Sequence, residues 1–241
     1  MIKSRVLHLM GIGESLVEEK VRDLIHTQAN PTLAPLAGCG EVRLRITAKA
    51  EDDAQADSRI SPLEAEIRRR LGDFIVGADA QQIENTVSHM LRESGLTLAV
   101  AESCSGGLIS HRLTNIPGAS DYLVAGLVCY SNPAKTALLG VKEETFAAHG
   151  AVSEAVALEM AEGVRKRLKA DIGLSTTGIA GPTGGRPAKP VGLVYIAVSS
   201  VAKKVCEEHR FRGERESIKH QTANAAFNLL RKVLESGLLS Q

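Results

Sequence analysis

No apolar run in this sequence approaches the roughly 18 residues that a membrane-spanning helix needs. Its opening, MIKSRVLHLMG, lacks the series of charged region, apolar core and small-residue cleavage site that marks a secretory leader. The expectation is a soluble, cytoplasmic chain. Cysteine is sparse: Cys39, Cys104, Cys129 and Cys206 stand far apart with no C-x-x-C pair, which argues against a zinc cluster or a dense disulfide framework. Reduced thiols and no metal follow. An excess of one charge is missing too. The net charge is +1 and acids interleave with bases, so the electrostatic footprint of a strong nucleic-acid binder is absent. The common catalytic signatures are also wanting, with no G-x-x-x-x-G-K-[ST], no G-x-S-x-G and no H-E-x-x-H. GIGESL does not complete G-x-G-x-x-G, and residues 1–95 hold no G-x-x-G loop of the RNA-binding type.

What is present is an alternation of strand and helix patterns. Residues 3–11 read as a strand, and GESLVEEKVRDLIHT carries a helical stripe of Leu16, Val17, Val21, Leu24 and Ile25. GEVRLRITAKA alternates Val42, Leu44 and Ile46 against Arg43, Arg45 and Thr47, the pattern of a strand with one wet face. EDDAQADSR reads as a polar break, after which Ser61 and Pro62 open a helix that stops at Gly72. This β-α-β-α unit is one candidate domain. From Asp79 the pattern changes: a helix over 81–94, a strand over 96–101 and a helix to about Thr114. A strand, YLVAGLVCY, a helix starting in SNPAKTALLG and a long helix from Ser153 to Lys169 follow. The chain closes with strand DIGLSTTG, a glycine-rich loop, strands VGLVYIAVSS and KVCEEHRFRG, and a helix from about Arg215 to Glu235. Strands alternating with helices, then a strand pair, predict an α/β sandwich with a mixed sheet.

Ligands of open α/β sheets collect beyond the carboxyl ends of the strands, and three such ends here carry chemistry. The first is AESCSGG. Ser105, Gly106 and Gly107 fall at a helix start, where free N–H groups favour an anion; alternatively Ser105 only caps and the glycines only turn. The second is YSNPAK, with Asn132 as cap, Pro133 at the first helical position and Lys135 in the first turn. A cation is disfavoured there, so Lys135 is either solvated or serves as a base whose pKa desolvation and dipole depress. The third is TTGIAGPTGGRPAKP, either a loose connection or a cradle of backbone donors. Ahead of it, HGAVS makes Ser153 the cap of the long helix, and His149 a turn residue.

The four stretches AESCSGG, CYSNPAK with LLGV, HGAVSE and TTGIAGPTGG…KPVGLVYIA, in that order, resemble the CinA family of competence- and damage-inducible proteins. GIGES, NPTLAPLAG and GEVRLRITAKA resemble the family's KH-like middle region, so the likeness covers nearly the whole chain. The family often has Thr where this chain has Ser105, which keeps the hydroxyl. The family's larger amino-terminal domain, molybdopterin-binding-like and a pyrophosphatase, has no counterpart among these residues, and no pyrophosphatase assignment follows. The resemblance implies a small α+β domain over 1–76 and a three-layer sandwich with a mixed sheet, an amidase domain, over 77–241.

It also implies hydrolysis of the carboxamide of nicotinamide mononucleotide, with no cofactor and in a homodimer. On that reading Ser103 is the nucleophile, Lys135 its base and Tyr130 an orienter or proton relay, with Ser105 and then Cys104 the rival nucleophiles, Cys104 pointing away if the segment stays extended. Glu102 would hold the lysine or ribose hydroxyls. Ser105, Gly106, Gly107, Ser131, Asn132, Ser153, Thr177, Gly178, Ile179, Ala180, Gly181, Gly184 and Gly185 complete the expected substrate contacts. A non-catalytic nucleotide-binding or docking module is the alternative. Nucleic-acid binding through Arg43, Arg45 and Arg68–Arg70 is a further, weaker one.

Overall fold

The computed structural model describes residues 1–38 and 40–236, so Cys39, expected to be a reduced thiol, lies outside the described residues. The chain divides between Ile83 and Glu84 into two compact units.

In the first unit the order is β1 (Ile2–Leu9), α1 (Glu14–His26), β2 (Thr32–Ala37), β3 (Val42–Lys49), α2 (Asp53–Leu71) and β4 (Ile75–Ala78). The sheet runs β2-β3-β1-β4, antiparallel throughout, so two strands join the expected β-α-β-α pattern. β2 contains Pro35, which cannot donate to a ladder and is tolerated because β2 is an edge strand. The alternation in β3 is realised: Val42, Leu44 and Ile46 are buried, joining Leu7 and Leu9 of β1 and Val17 and Val21 of α1 in one core. Each fully buried aliphatic side chain there contributes about 1.5–3 kcal/mol. The expected helix start at Ser61 is displaced. EDDAQADSR supplies the first turns of α2, capped by Asp52, whose carboxylate accepts from the Gln55 amide at 2.8 Å. Pro62 is internal, and Ser61 Oγ instead donates to the Asp57 carbonyl at 2.7 Å.

The second unit is a three-layer α/β sandwich. After α3 (Ile83–Ser94) come β5 (Leu98–Glu102), α4 (Leu108–Thr114), β6 (Leu123–Val128), α5 (Asn132–Leu139) and α6 (Glu143–His149). Then follow α7 (Glu154–Leu168), β7 (Ile172–Gly178), β8 (Leu193–Ser199), β9 (Lys204–Arg210) and α8 (Arg215–Glu235). The sheet order is β6-β5-β7-β8-β9, with β6, β5 and β7 parallel and β8 and β9 antiparallel, the mixed sheet that the sequence predicts. β5 and nearly all of β7 are buried, and read as continuous apolar or small-residue runs because both faces are covered. Gly173 and Gly163 allow close approaches of backbone to backbone: a Cβ on Gly173 would lie 2.0 Å from the Ala161 carbonyl, and one on Gly163 1.9 Å from the Leu139 carbonyl. Among the described residues no helix is long and apolar enough to cross a membrane.

Candidate active site

The carboxyl ends of the parallel strands β5, β6 and β7 open onto the three loops singled out from the sequence. Beyond Glu102 the chain turns instead of staying extended, with the Gly106 amide donating to the Ser103 carbonyl at 3.2 Å and Gly106 and Gly107 at φ 63° and 92°. Those angles explain the two glycines. Glu102 is fully buried. Its Oε2 accepts from the amides of Gly107 (2.9 Å) and Ile109 (3.1 Å), and its Oε1 from the Ser110 amide (2.8 Å) and Ser110 Oγ (2.6 Å). The anion seat expected at this helix start is thus filled by the chain's own carboxylate. That corrects the expected substrate contacts of Glu102 and Gly107. Ser105 is likewise committed: fully buried, its Oγ lies 2.8 Å from Thr176 Oγ1 on β7.

Ser103 is 7% exposed, its amide donates to the Thr176 carbonyl at 3.1 Å, and its hydroxyl has no hydrogen-bond partner among the described residues. The neighbouring Cys104 is buried, and burial pushes its thiol up to about 12. Burial therefore disfavours its thiolate, although the nearby Lys135 charge opposes that shift in part. The argument from strand alternation does not apply, because residues 103–107 form a turn; burial is what weighs against Cys104.

Ser131 rather than Asn132 caps α5, its Oγ accepting from the Ala134 amide at 3.3 Å, so Asn132 and Pro133 are the first two helical residues. Lys135 follows within the first turn and is 3% exposed. Its ammonium has no hydrogen bond or ion pair among the described residues. Desolvation holds its pKa below the usual 10.5, opposed in part by the sulfurs of Cys104 and Cys129. Ser103 and Lys135 thus share Cys104 as a neighbour, yet no direct hydrogen bond joins them. Tyr130, 58% exposed, has Arg215 as its partner: Arg215 Nη2 donates to the tyrosine hydroxyl at 2.7 Å and Nη1 to the Gly181 carbonyl at 2.7 Å. The expected pairing of Tyr130 with Lys135 is replaced by this bridge to the glycine-rich loop.

That loop is ordered by its own bonds. The Ile179 amide donates to the Leu193 carbonyl and the Gly192 amide to the Ile179 carbonyl, at 2.9 and 2.8 Å. Thr177 Oγ1 donates to the Ala151 carbonyl at 2.8 Å. Lys189 Nζ donates to the carbonyls of His149 (2.5 Å) and Val152 (2.6 Å). Ser153 caps α7 as expected, accepting from the Val156 amide at 3.3 Å and donating to the Gly150 carbonyl at 2.9 Å. Gly178 is pressed against Val194, Ala180 is buried, and Gly181 and Gly184 have φ of 77° and 88°. The amides of Gly184 and Gly185 have no acceptor among the described residues, and these glycines line a pocket of about 400 Å³ with Pro182 and Arg186. A larger one, about 700 Å³, lies between Ala180, Pro182, Val191 and Gly213–Glu216, beside the Arg215 bridge; neither Ser103 nor Lys135 lines it. No group of three or more His, Cys, Asp or Glu among the described residues could hold a metal.

Three residues escape the sequence reading: Thr176, Arg215 and Lys219. Lys219 Cε lies 3.7 Å from where a Cβ on Gly106 would sit. A usable signal existed for Arg215, since it opens α8 and repeats the misfit that marks Lys135, a cation at a helix start.

Fold and site define an α/β domain with a candidate small-ligand site at the carboxyl ends of its parallel strands. Residues 80–234 match the family model described as the CinA C-terminal domain, and residues 4–77 that of the damage-inducible protein CinA KH domain. The chain belongs to the CinA family. It is 52% identical over 236 residues to a competence-damage inducible protein of Moorella thermoacetica, covering 98% of this chain and 57% of that one. It is 46% identical over 234 residues to a CinA-like protein of Kosmotoga olearia, covering 97% and 57%. It therefore spans little more than half the length of these curated relatives. Among solved structures, a CinA superfamily protein of Klebsiella pneumoniae superposes with TM-score 0.62 at 32% identity, over 65% of this chain and 99% of that one. A competence/damage inducible protein of Agrobacterium tumefaciens gives 0.60 at 37% identity, over 64% and 97%.

Proposed function

We propose that the second unit, Glu84 onward, hydrolyses the carboxamide of nicotinamide mononucleotide to the acid and ammonia. The observation that carries this reading is Lys135: a buried ammonium with no partner among the described residues, whose pKa desolvation lowers, beside the turn that carries Ser103. As free base, Lys135 takes the Ser103 proton while Oγ attacks the carboxamide carbon. The lysine then returns that proton to the departing nitrogen, and water cleaves the resulting ester. Because the Gly106 and Gly107 amides are already bonded, the amides of Ser105, Gly184 and Gly185 are the better oxyanion donors. Arg215 and Lys219 offer cations for the phosphate. Tyr130, tied to Arg215, helps order that side of the site rather than the lysine.

The same reading includes a homodimer, and the sheet edges favour it. The β9 edge carries Lys204, Glu207, Glu208 and Arg210, whereas β6, LVAGLV, is an edge without a charge and exposes Val124 (45%) and Val128 (49%). Unguarded apolar edges of this kind are usually paired.

The test is ammonia release from purified protein given nicotinamide mononucleotide. Ser103→Ala and Lys135→Ala should each remove at least about 100-fold of kcat with the circular dichroism spectrum unchanged. Wild-type turnover by Ser103→Ala would exclude that nucleophile.

A further inference from the structure

We propose that Glu102 is a positioning residue: its buried carboxylate holds the Ser103–Gly107 turn in shape by standing where an external anion would otherwise sit at the start of α4. The functional half of this inference rests on the amidase reading. A carboxylate offers about four acceptor sites. All four are taken, by the amides of Gly107, Ile109 and Ser110 and by Ser110 Oγ, at 2.6–3.1 Å. Nothing is left over for substrate or for Lys135. Among the described residues no lysine or arginine pairs with Glu102, so its charge is balanced by backbone dipoles and one hydroxyl.

The consequence for Ser103 is geometric. Glu102 is the last residue of β5, paired with Val128 and Thr176 on its two sides, and its side chain reaches forward over the turn to α4. The rest of the turn is fixed by the Gly106 amide on the Ser103 carbonyl and by the Ser105–Thr176 hydroxyl pair. Ser103 is therefore clamped between a strand end and a helix start, with its hydroxyl the one polar group of the turn's side chains left without a partner among 102, 103 and 105. A residue that only fills this space would tolerate glutamine. One that holds the turn by accepting four bonds would not, because the glutamine NH2 must face at least one N–H or O–H donor.

The experiment compares wild type, Glu102→Gln and Glu102→Ala, the last with and without added formate. Expected in Glu102→Gln is a fall in kcat of about 10- to 100-fold, the range for a lost hydrogen bond to a charged group. The KM for nicotinamide mononucleotide should stay within about twofold and the ascending limb of the pH profile should not move. Formate, a carboxylate small enough for the vacated space, should restore part of kcat to Glu102→Ala. In parallel, amide hydrogen exchange at Gly107, Ile109 and Ser110 should accelerate in both variants. Unchanged protection of those amides, or wild-type kcat in Glu102→Gln, would overturn the assignment, and a raised KM at unchanged kcat would make Glu102 a substrate ligand instead. If wild type releases no ammonia, the amidase reading fails while hydrogen exchange still decides whether Glu102 holds the turn. Should Glu102→Ala not fold, Glu102→Gln alone carries both readouts.

Discussion

Lys135 sits where a helix dipole and burial both disfavour its charge, and no carboxylate among the described residues relieves it. Because desolvation lowers its pKa, the free base becomes available below the usual 10.5. Activity should rise with pH along a limb whose midpoint lies under that value, and a pH profile of kcat/KM with a midpoint at or above it would contradict the general-base role. His8 shows the opposite shift. Its ring lies between Glu41 (Nδ1 to Oε2, 3.4 Å) and the Asp79 carbonyl (Nε2, 2.8 Å), and the Glu41 carboxylate facing Nδ1 is the main cause of its raised pKa. Desolvation and the nearby Arg43 oppose that shift without cancelling it. The folded state therefore binds this proton more tightly than the unfolded one. The stability it contributes is complete below the ordinary 6.5 and is lost as pH rises through the raised value. Denaturant titrations across that window should show the first unit weakening with pH, and His8→Gln should flatten the dependence.

Among the elements, the approach of α7 to α5 is the tightest constraint near the site. A Cβ on Gly163 would meet the Leu139 carbonyl at 1.9 Å, and α5 is the helix that carries Lys135. Gly163→Ala should cost about 1–3 kcal/mol by overpacking, read as a lower midpoint in thermal melts, and should lower kcat by displacing the lysine. Elements with a clear period or cap were legible in sequence: β3 from its alternation, α7 from Ser153, α8 from its boundaries. The misses have local causes. Pro62 imitates a helix start, yet it lies within α2, one turn beyond the exposed Ser58 whose carbonyl it leaves unbonded. Pro35 hides β2, whose proline is acceptable only because nothing pairs with its outer side among the described residues. At the site, residue types and loops could be read, but not that Glu102 and Ser105 spend their oxygens inward or that Arg215, 85 positions away, would bond Tyr130. Those are consequences of long-range packing, which periodicity does not encode.

On the scale of the whole molecule, the contrast between the two sheet edges of the second unit sets the expectation for assembly. If β6 pairs with β6 of a second copy about a two-fold axis, a register centred on Gly126 sets Val124 against Val128 of the partner. The double substitution Val124→Lys with Val128→Lys should shift sedimentation from dimer to monomer while leaving the circular dichroism spectrum intact. A wild-type chain that sediments as a monomer at all concentrations would remove the homodimer from the proposal.

The glycine-rich loop leaves β7 and returns to β8 through one cinched base, the reciprocal bonds of Ile179 with Leu193 and Gly192. Whatever lies inside that knot can lengthen, shorten or change composition without tugging on either strand. Serine and lysine stand on other strand ends, outside it. On the amidase reading, preference for one small molecule over another can therefore drift by rewriting this excursion, so long as the amides of Gly184 and Gly185 keep their place.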